Sequence, residues 1–138
     1  MALSARYLAD KSALARFPIP AVAARLRPLL EDGDLATCAI VDLEVLYSGR
    51  NPADYQQILE ERRSLDAAPL TPEVMTRAIE LQHELARRGQ HRVPIPDLII
   101  SAAALLSELV VLHYDADFER IAAAGGARHE WVVPKGTM

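Results

Sequence analysis

The run Leu109-Val110-Val111-Leu112-His113-Tyr114-Asp115-Ala116-Asp117 decides the fold. Its first four residues are apolar without alternation. A strand that reads this way is buried on both faces, as strands inside parallel sheets are. The apolar run then ends in two carboxylates. A carboxylate beside core-forming sequence is costly unless it is solvated, paired or bound to a metal.

The same juxtaposition recurs outward from this run. Asp10 closes Arg6-Tyr7-Leu8-Ala9, a short strand over about residues 6–10. Glu44 lies inside Ile40-Val41-Asp42-Leu43-Glu44-Val45-Leu46, and Asp97 opens Leu98-Ile99-Ile100 after Ile95-Pro96. Between these points the chain alternates β and α. Ser12 is placed to cap a brief helix ended before Pro18. Residues 19–31 repeat apolar side chains with a period of 3.6, and Asp32-Gly33-Asp34 is a turn. Leu35–Cys38 reads as a second strand, followed by the helix carrying Glu44, which Gly49 stops. Asn51-Pro52 and Thr71-Pro72 each read as a cap followed by proline at the first helical position, opening helices to about Ser64 and Arg88. A short strand near Ala67–Leu70 separates them. Residues 96–107 form a helix apolar nearly all round, hence buried. Asp117 starts a last helix that Gly125-Gly126 terminates, and Glu130–Val133 is the final strand, with a tail from Pro134.

Alternating β and α units imply a mainly parallel sheet of about five strands in a three-layer α/β/α sandwich. Sites in such sheets form outside the carboxyl ends of the strands. Asp10 and Asp115 fall there directly. Glu44 and Asp97 fall early in helices, whose N-terminal ends face the same edge. The topology therefore gathers Asp10, Glu44, Asp97 and Asp115 into one place, where they would repel each other until a divalent cation neutralised them. Oxygen-only ligands suit Mg²⁺ or Mn²⁺. Two-metal carboxylate centres hydrolyse phosphodiesters.

Composition narrows the classes. The 138 residues fit one domain, 1–138, and 51% are hydrophobic, enough for a sizeable core. No apolar stretch reaches the ~18 residues of a membrane helix, and the start lacks the order of a signal peptide. One cysteine, Cys38, excludes an internal disulfide and a multi-cysteine zinc site. It reads as a buried thiol on a strand. These points favour the cytoplasm. There is no Gly-x-Gly-x-x-Gly, no Gly-Lys-Ser/Thr and no Gly-x-Ser-x-Gly. His83, His91, His113 and His129 show no zinc-type pairing. The net charge of −4 argues at first against nucleic acid, but it becomes +1 once the five carboxylates Asp10, Glu44, Asp97, Asp115 and Asp117 are set aside. Arg87, Arg88, His91 and Arg92 are clustered ahead of Asp97, and phosphate contact is a natural role for Arg87, Arg88 and Arg92.

At Tyr7-Leu-Ala-Asp10-Lys-Ser12-Ala-Leu, Glu44-Val-Leu-Tyr47-Ser, Pro96-Asp97-Leu-Ile-Ile-Ser101-Ala-Ala and His113-Tyr-Asp115-Ala-Asp117-Phe118-Glu-Arg-Ile121-Ala, the chain resembles the PIN-domain ribonucleases, specifically VapC-type toxins of bacterial toxin–antitoxin pairs. The resemblance spans nearly the whole length. It implies a metal-dependent endoribonuclease that cuts single-stranded or looped RNA, often transfer RNA or a ribosomal RNA loop, in line, leaving a 5′-phosphate and a 3′-hydroxyl. It implies Asp10, Glu44, Asp97 and Asp115 as the acidic quartet, Asp117 as an auxiliary ligand, and Ser12 bonded near the metal or the scissile phosphate. It implies a homodimer, a small VapB-like antitoxin laid across the active site, and contact with DNA only through that antitoxin. Lys11 departs from the family pattern, which commonly has Thr or a similar residue there.

Each residue also has a plainer role. Asp10 and Asp117 can be helix caps, Asp97 an ordinary first-turn acid, Ser101 a packing group and Arg87–Arg92 a solvated helix end. Asp42 competes with Glu44, since two residues apart on a helix they point to different sides. Tyr47 and Trp131 suit base stacking or core and dimer packing. Two other functions compete. A haloacid-dehalogenase-type phosphatase is suggested by Asp115-x-Asp117, but it needs a second Asp where Ser12 stands. A catalytically idle PIN-like scaffold binding RNA or protein is the other.

Overall fold

In the computed structural model, residues 3–138 are described. The strands are β1 (Tyr7–Ala9), β2 (Leu35–Thr37), β3 (Asp66–Ala67), β4 (Val110–His113) and β5 (His129–Trp131). The helices are α1 (Lys11–Leu14), α2 (Pro20–Glu31), α3 (Ala39–Leu46), α4 (Pro52–Arg63), α5 (Pro72–Arg87), α6 (Ile95–Leu106) and α7 (Asp117–Ala123). The five strands form one sheet in the order β3-β2-β1-β4-β5, and every pairing is parallel.

Period-two alternation divides the core between the two faces of the sheet. Leu8, Ala36 and Val111 point to one side, where they pack with Val41 of α3, Leu81 and Leu85 of α5, Ile100 of α6 and Phe118 of α7. Ala9, Leu35 and Leu112 point to the other, against Ala13 of α1 and Val22, Leu26 and Leu29 of α2. Leu8, Val111 and Leu112 are fully buried, as an unbroken apolar β4 demanded. In α6 every residue from Asp97 to Ala104 is buried. This is a three-layer α/β/α sandwich.

Some boundaries shift. β3 is two residues long at Asp66–Ala67 rather than near Ala67–Leu70, and β5 starts at His129. Ser12 does not cap the first helix. Asp10 does, accepting the Ser12 N–H at 3.0 Å. Asp117 is not a cap either: it lies inside the first turn of α7, and Asp115 Oδ1 accepts its N–H at 2.9 Å. Cys38 is buried as expected, but one residue past β2, at the N-cap of α3.

The strand order sets the location of the site. From β1 the chain continues to β2 on one side, and from β4 to β5 on the other. The crevice between the carboxyl ends of β1 and β4 is therefore a topological switch point, where ligands bind in open α/β sheets. Asp10 follows β1 directly, and Asp115 lies two residues beyond β4.

Candidate metal-dependent active site

A cleft of about 330 Å³ opens at this switch point, with Asp10, Glu44, Asp97 and Asp115 in its wall. Asp97, Asp115 and Asp117 each present a carboxylate oxygen within 4.8 Å of the other two. All five sequence-selected carboxylates thus reach one region. Asp97, Asp115 and Asp117 form the tight group, while Asp10 and Glu44 face the same cleft.

The local sequence explains each placement. Asp97 stands in the first turn of α6, a helix otherwise so apolar that it must enter the core. Asp97 is 7% exposed, and its Oδ2 has no hydrogen-bond partner. Burial, followed by repulsion from Asp10, Asp115, Asp117 and Glu44, pushes its pKa up to about 8. Asp115 is raised as well, first by burial, although the N–H of Asp117 opposes the shift. Glu44 is raised by burial and by Asp10, against the pull of the Lys11 ammonium, and its Oε1 is buried without a partner. Buried acceptors left unpaired are rare in folded proteins and need a reason. Both belong to residues that line one cleft, and orphaned carboxylate acceptors there fit a bound cation. An oxygen-only donor set suits a hard divalent ion.

Glu44, which the resemblance selects over Asp42, and Asp42 itself differ in their contacts. Asp42 Oδ1 accepts from Thr37 Oγ1 at 2.8 Å and from Arg62 Nε at 2.9 Å, away from the cleft. Glu44 lines the cleft. Ser12 also lines it, but its Oγ accepts the Tyr114 N–H at 2.9 Å, tying α1 to the end of β4. Its own hydroxyl proton remains available to a ligand. Ser101 Oγ accepts the Ala127 N–H at 2.9 Å and supports the backbone beyond α7.

The basic run divides. Arg87 and Arg88 both pair with Glu84 on their own helix. Arg92 instead lines a second cleft of about 270 Å³ that Asp117 and Arg120 share. Trp131 packs against His113 and Tyr114 and donates from Nε1 to Glu119, whereas Tyr47 is 88% exposed.

Two features were not legible in the chain. Arg16 reaches the main cleft, donating to Ser12 O at 2.7 Å with its guanidinium over the Tyr114 ring. Its place one helical turn after Ser12 was the available signal. Two of the four histidines do meet: His113 Nε2 lies 2.8 Å from His129 Nδ1. His113 Nδ1 accepts the Asp115 N–H at 3.0 Å, so the ring's proton sits on Nε2. No spacing rule finds a pair sixteen residues apart on adjacent strands.

The PIN-domain family model matches residues 7–124. The chain belongs to the PIN-domain family. Within it, the chain is 43% identical over 136 residues to "Ribonuclease VapC51" of Mycobacterium tuberculosis, covering 99% of each chain. It is 48% identical over 137 residues to "Ribonuclease VapC21" of the same organism, covering 98% of this chain and 99% of the relative. Two solved structures share the PIN fold. VapBC from Salmonella typhimurium bound to DNA matches with a TM-score of 0.72 at 21% identity, over 94% of this chain and 99% of that one. VapBC2 from Rickettsia felis bound to a promoter DNA fragment matches at 0.73 and 19%, over 91% and 97%. Among the described residues of this PIN-family chain, no helix is long and apolar enough to cross a membrane.

Proposed function

We propose that the protein is a divalent-metal-dependent endoribonuclease that acts as the toxin of a toxin–antitoxin pair. The observation that carries this reading is the buried, unpartnered Asp97 Oδ2 in a carboxylate group with Asp115 and Asp117. The names of its relatives, ribonucleases at 43% and 48% identity over almost the full length, support the activity.

In this reading Asp10, Glu44, Asp97 and Asp115 hold Mg²⁺ or Mn²⁺, with Asp117 as a further ligand. A divalent cation there supplies Lewis-acid polarisation of water and phosphate and neutralises charge at the leaving oxygen. The chain's residues do the rest. Asp10 fixes the start of α1 through Ser12 N–H and lines the cleft. Asp115 is oriented by two backbone bonds: His113 Nδ1 accepts its N–H, and its Oδ1 accepts that of Asp117. With its pKa pushed up to about 8, Asp97 favours its protonated form near neutral pH, and a bound cation would favour its carboxylate instead. The substrate is structured cellular RNA, cut in a transfer or ribosomal RNA loop.

A small VapB-like antitoxin that covers the site in the cytoplasm, and a homodimer, complete the reading. Two solved relatives of this fold are VapBC complexes. Leu43 on α3, Tyr47 just past its end, and Met75 and Ile79 on α5 are large hydrophobic side chains left exposed, as a partner's contact surface would be.

The test is cleavage of total cellular RNA by the purified protein with Mg²⁺ or Mn²⁺, beside Asp97→Asn and an EDTA control. Discrete fragments lost in both controls are expected, and end-mapping then gives the target. Intact RNA from folded, antitoxin-free parent protein would overturn the reading in favour of an idle PIN scaffold.

A further inference from the structure

An acidic cleft repels the polyanion it is meant to cut. The cations that overcome this repulsion must lie beside the carboxylates and be free of carboxylate partners of their own. Most arginines fail that criterion. Arg87 and Arg88 are paired with Glu84, Arg77 with Glu80, Arg25 with Glu130, and Arg62 with Asp42.

Four cations line the two clefts at the carboxylate group. Lys11 and Arg16 stand in the cleft of Asp10, Glu44, Asp97 and Asp115. Arg92 and Arg120 stand in the cleft of Asp117. The two clefts adjoin, since Val93 lines one and Pro94 the other, and Asp117 lies within 4.8 Å of Asp97 and Asp115. Lys11 and Arg92 form no ion pair among the described residues, and Arg16 is held by a backbone carbonyl and an aromatic ring rather than by an acid. Arg120 pairs with Asp117 and is set aside on the same ground as the other paired arginines.

We infer that these clefts are two phosphate subsites of one RNA track. Lys11 with Arg16 receives the phosphate on one side of the carboxylates, and Arg92 receives a phosphate on the other. The strand between them passes over Asp97, Asp115 and Asp117. This rests on the ribonuclease reading and adds the path of the substrate. It assigns the substrate-contact role in the basic run to Arg92 alone, and it gives Lys11, the residue that departs from the family pattern, a task at the cleft.

The test measures binding of a fluorescein-labelled single-stranded RNA oligonucleotide by anisotropy, in Mg²⁺, over a range of salt concentrations. The Asp97→Asn background keeps the strand intact. Lys11→Gln and Arg92→Gln are compared with Arg63→Gln, an exposed arginine at the end of α4 that lines neither cleft. Thermal melts confirm folding, and Lys11→Arg and Arg92→Lys restore the charge. Expected are a roughly three- to tenfold weaker affinity for each of the first two and a salt slope shallower by about 0.7 per lost contact. Arg63→Gln should match the background, and the charge-restoring variants should recover most of the affinity. Equal losses in all three neutralised variants, or none in Lys11→Gln and Arg92→Gln, would overturn the track. The parent protein's cleavage of total RNA, run in parallel, separates the two failures. RNA cut normally while these variants bind like the background removes the track alone. RNA left intact removes the ribonuclease reading and the track with it.

Discussion

Ser12 Oγ accepts the backbone N–H of Tyr114 at 2.9 Å, across 102 residues of chain. This bond holds α1, whose N-cap is Asp10, against the end of β4, from which Asp115 projects. Two carboxylates from opposite ends of the sequence are thereby kept at the same cleft.

Ser12→Ala should therefore lower stability by about 1 kcal/mol, the usual cost of one intramolecular hydrogen bond. RNA cleavage should fall as well, because Asp10 and Asp115 lose a shared anchor. Ser12→Thr, which keeps the hydroxyl, should retain more of both. Chemical denaturation and cleavage of the mapped RNA, run on the same preparations, check this.

The metal-free protein should show a specific pH profile of stability. Asp97 has a folded pKa of about 8 against an ordinary 3.8, so across that interval the native state holds a proton the unfolded chain has lost. Stability then falls as pH rises, by at most about 1.4 kcal/mol per pH unit. His113 has the opposite effect. Burial, and to a lesser extent His129, lowers its pKa from 6.5 to about 4, so stability falls as pH drops through that range. The two slopes oppose each other between pH 4 and 6.5, so the decline is steepest between 6.5 and 8. Asp97→Asn should flatten the decline above 6.5 and uncover the acid-side loss. Glu44 and Asp115, also raised, leave a residual slope of the same sign as Asp97's. Denaturation in EDTA across this pH range is the measurement.

Metal affinity should rise with pH for the same reason. A cation must displace the Asp97 proton, so apparent affinity should increase by up to about tenfold per pH unit below pH 8 and level off above it. Calorimetric titration with Mn²⁺ at several pH values reads this directly. In Asp97→Asn the binding should be weaker and this pH dependence reduced.

Arg62 is 9% exposed and bridges two elements, donating to Asp42 from Nε and to Thr37 Oγ1 from Nη2 at 2.7 Å. Arg62→Met should cost roughly 3 kcal/mol, because it leaves the Asp42 carboxylate without its cation in a partly buried place. A double variant that also carries Asp42→Asn should recover part of the loss. Urea unfolding of the single and double variants tests the coupling.

The sequence by itself determined the layers and the chemistry. Unbroken apolar Val110–Leu112 and all-round apolar α6 had to be buried, and the alternation of β and α units made the sheet parallel and covered on both faces. Carboxylates fixed to the ends of such elements had to gather at one edge. Tertiary structure decided what local pattern cannot carry. Asp42 and Glu44 are equivalent acids two residues apart, and only the arrival of Arg62 from α4 assigns Asp42 to an ion pair and leaves Glu44 to the cleft. Arg87 and Arg92 likewise read as one basic run, until Glu84 claims the first and the turn after α5 carries the second to Asp117. The His113–His129 contact exists only because β4 and β5 are neighbours in register. In each case the deciding partner is distant in sequence or set by the path of the chain, and its approach is fixed by packing rather than by local preference.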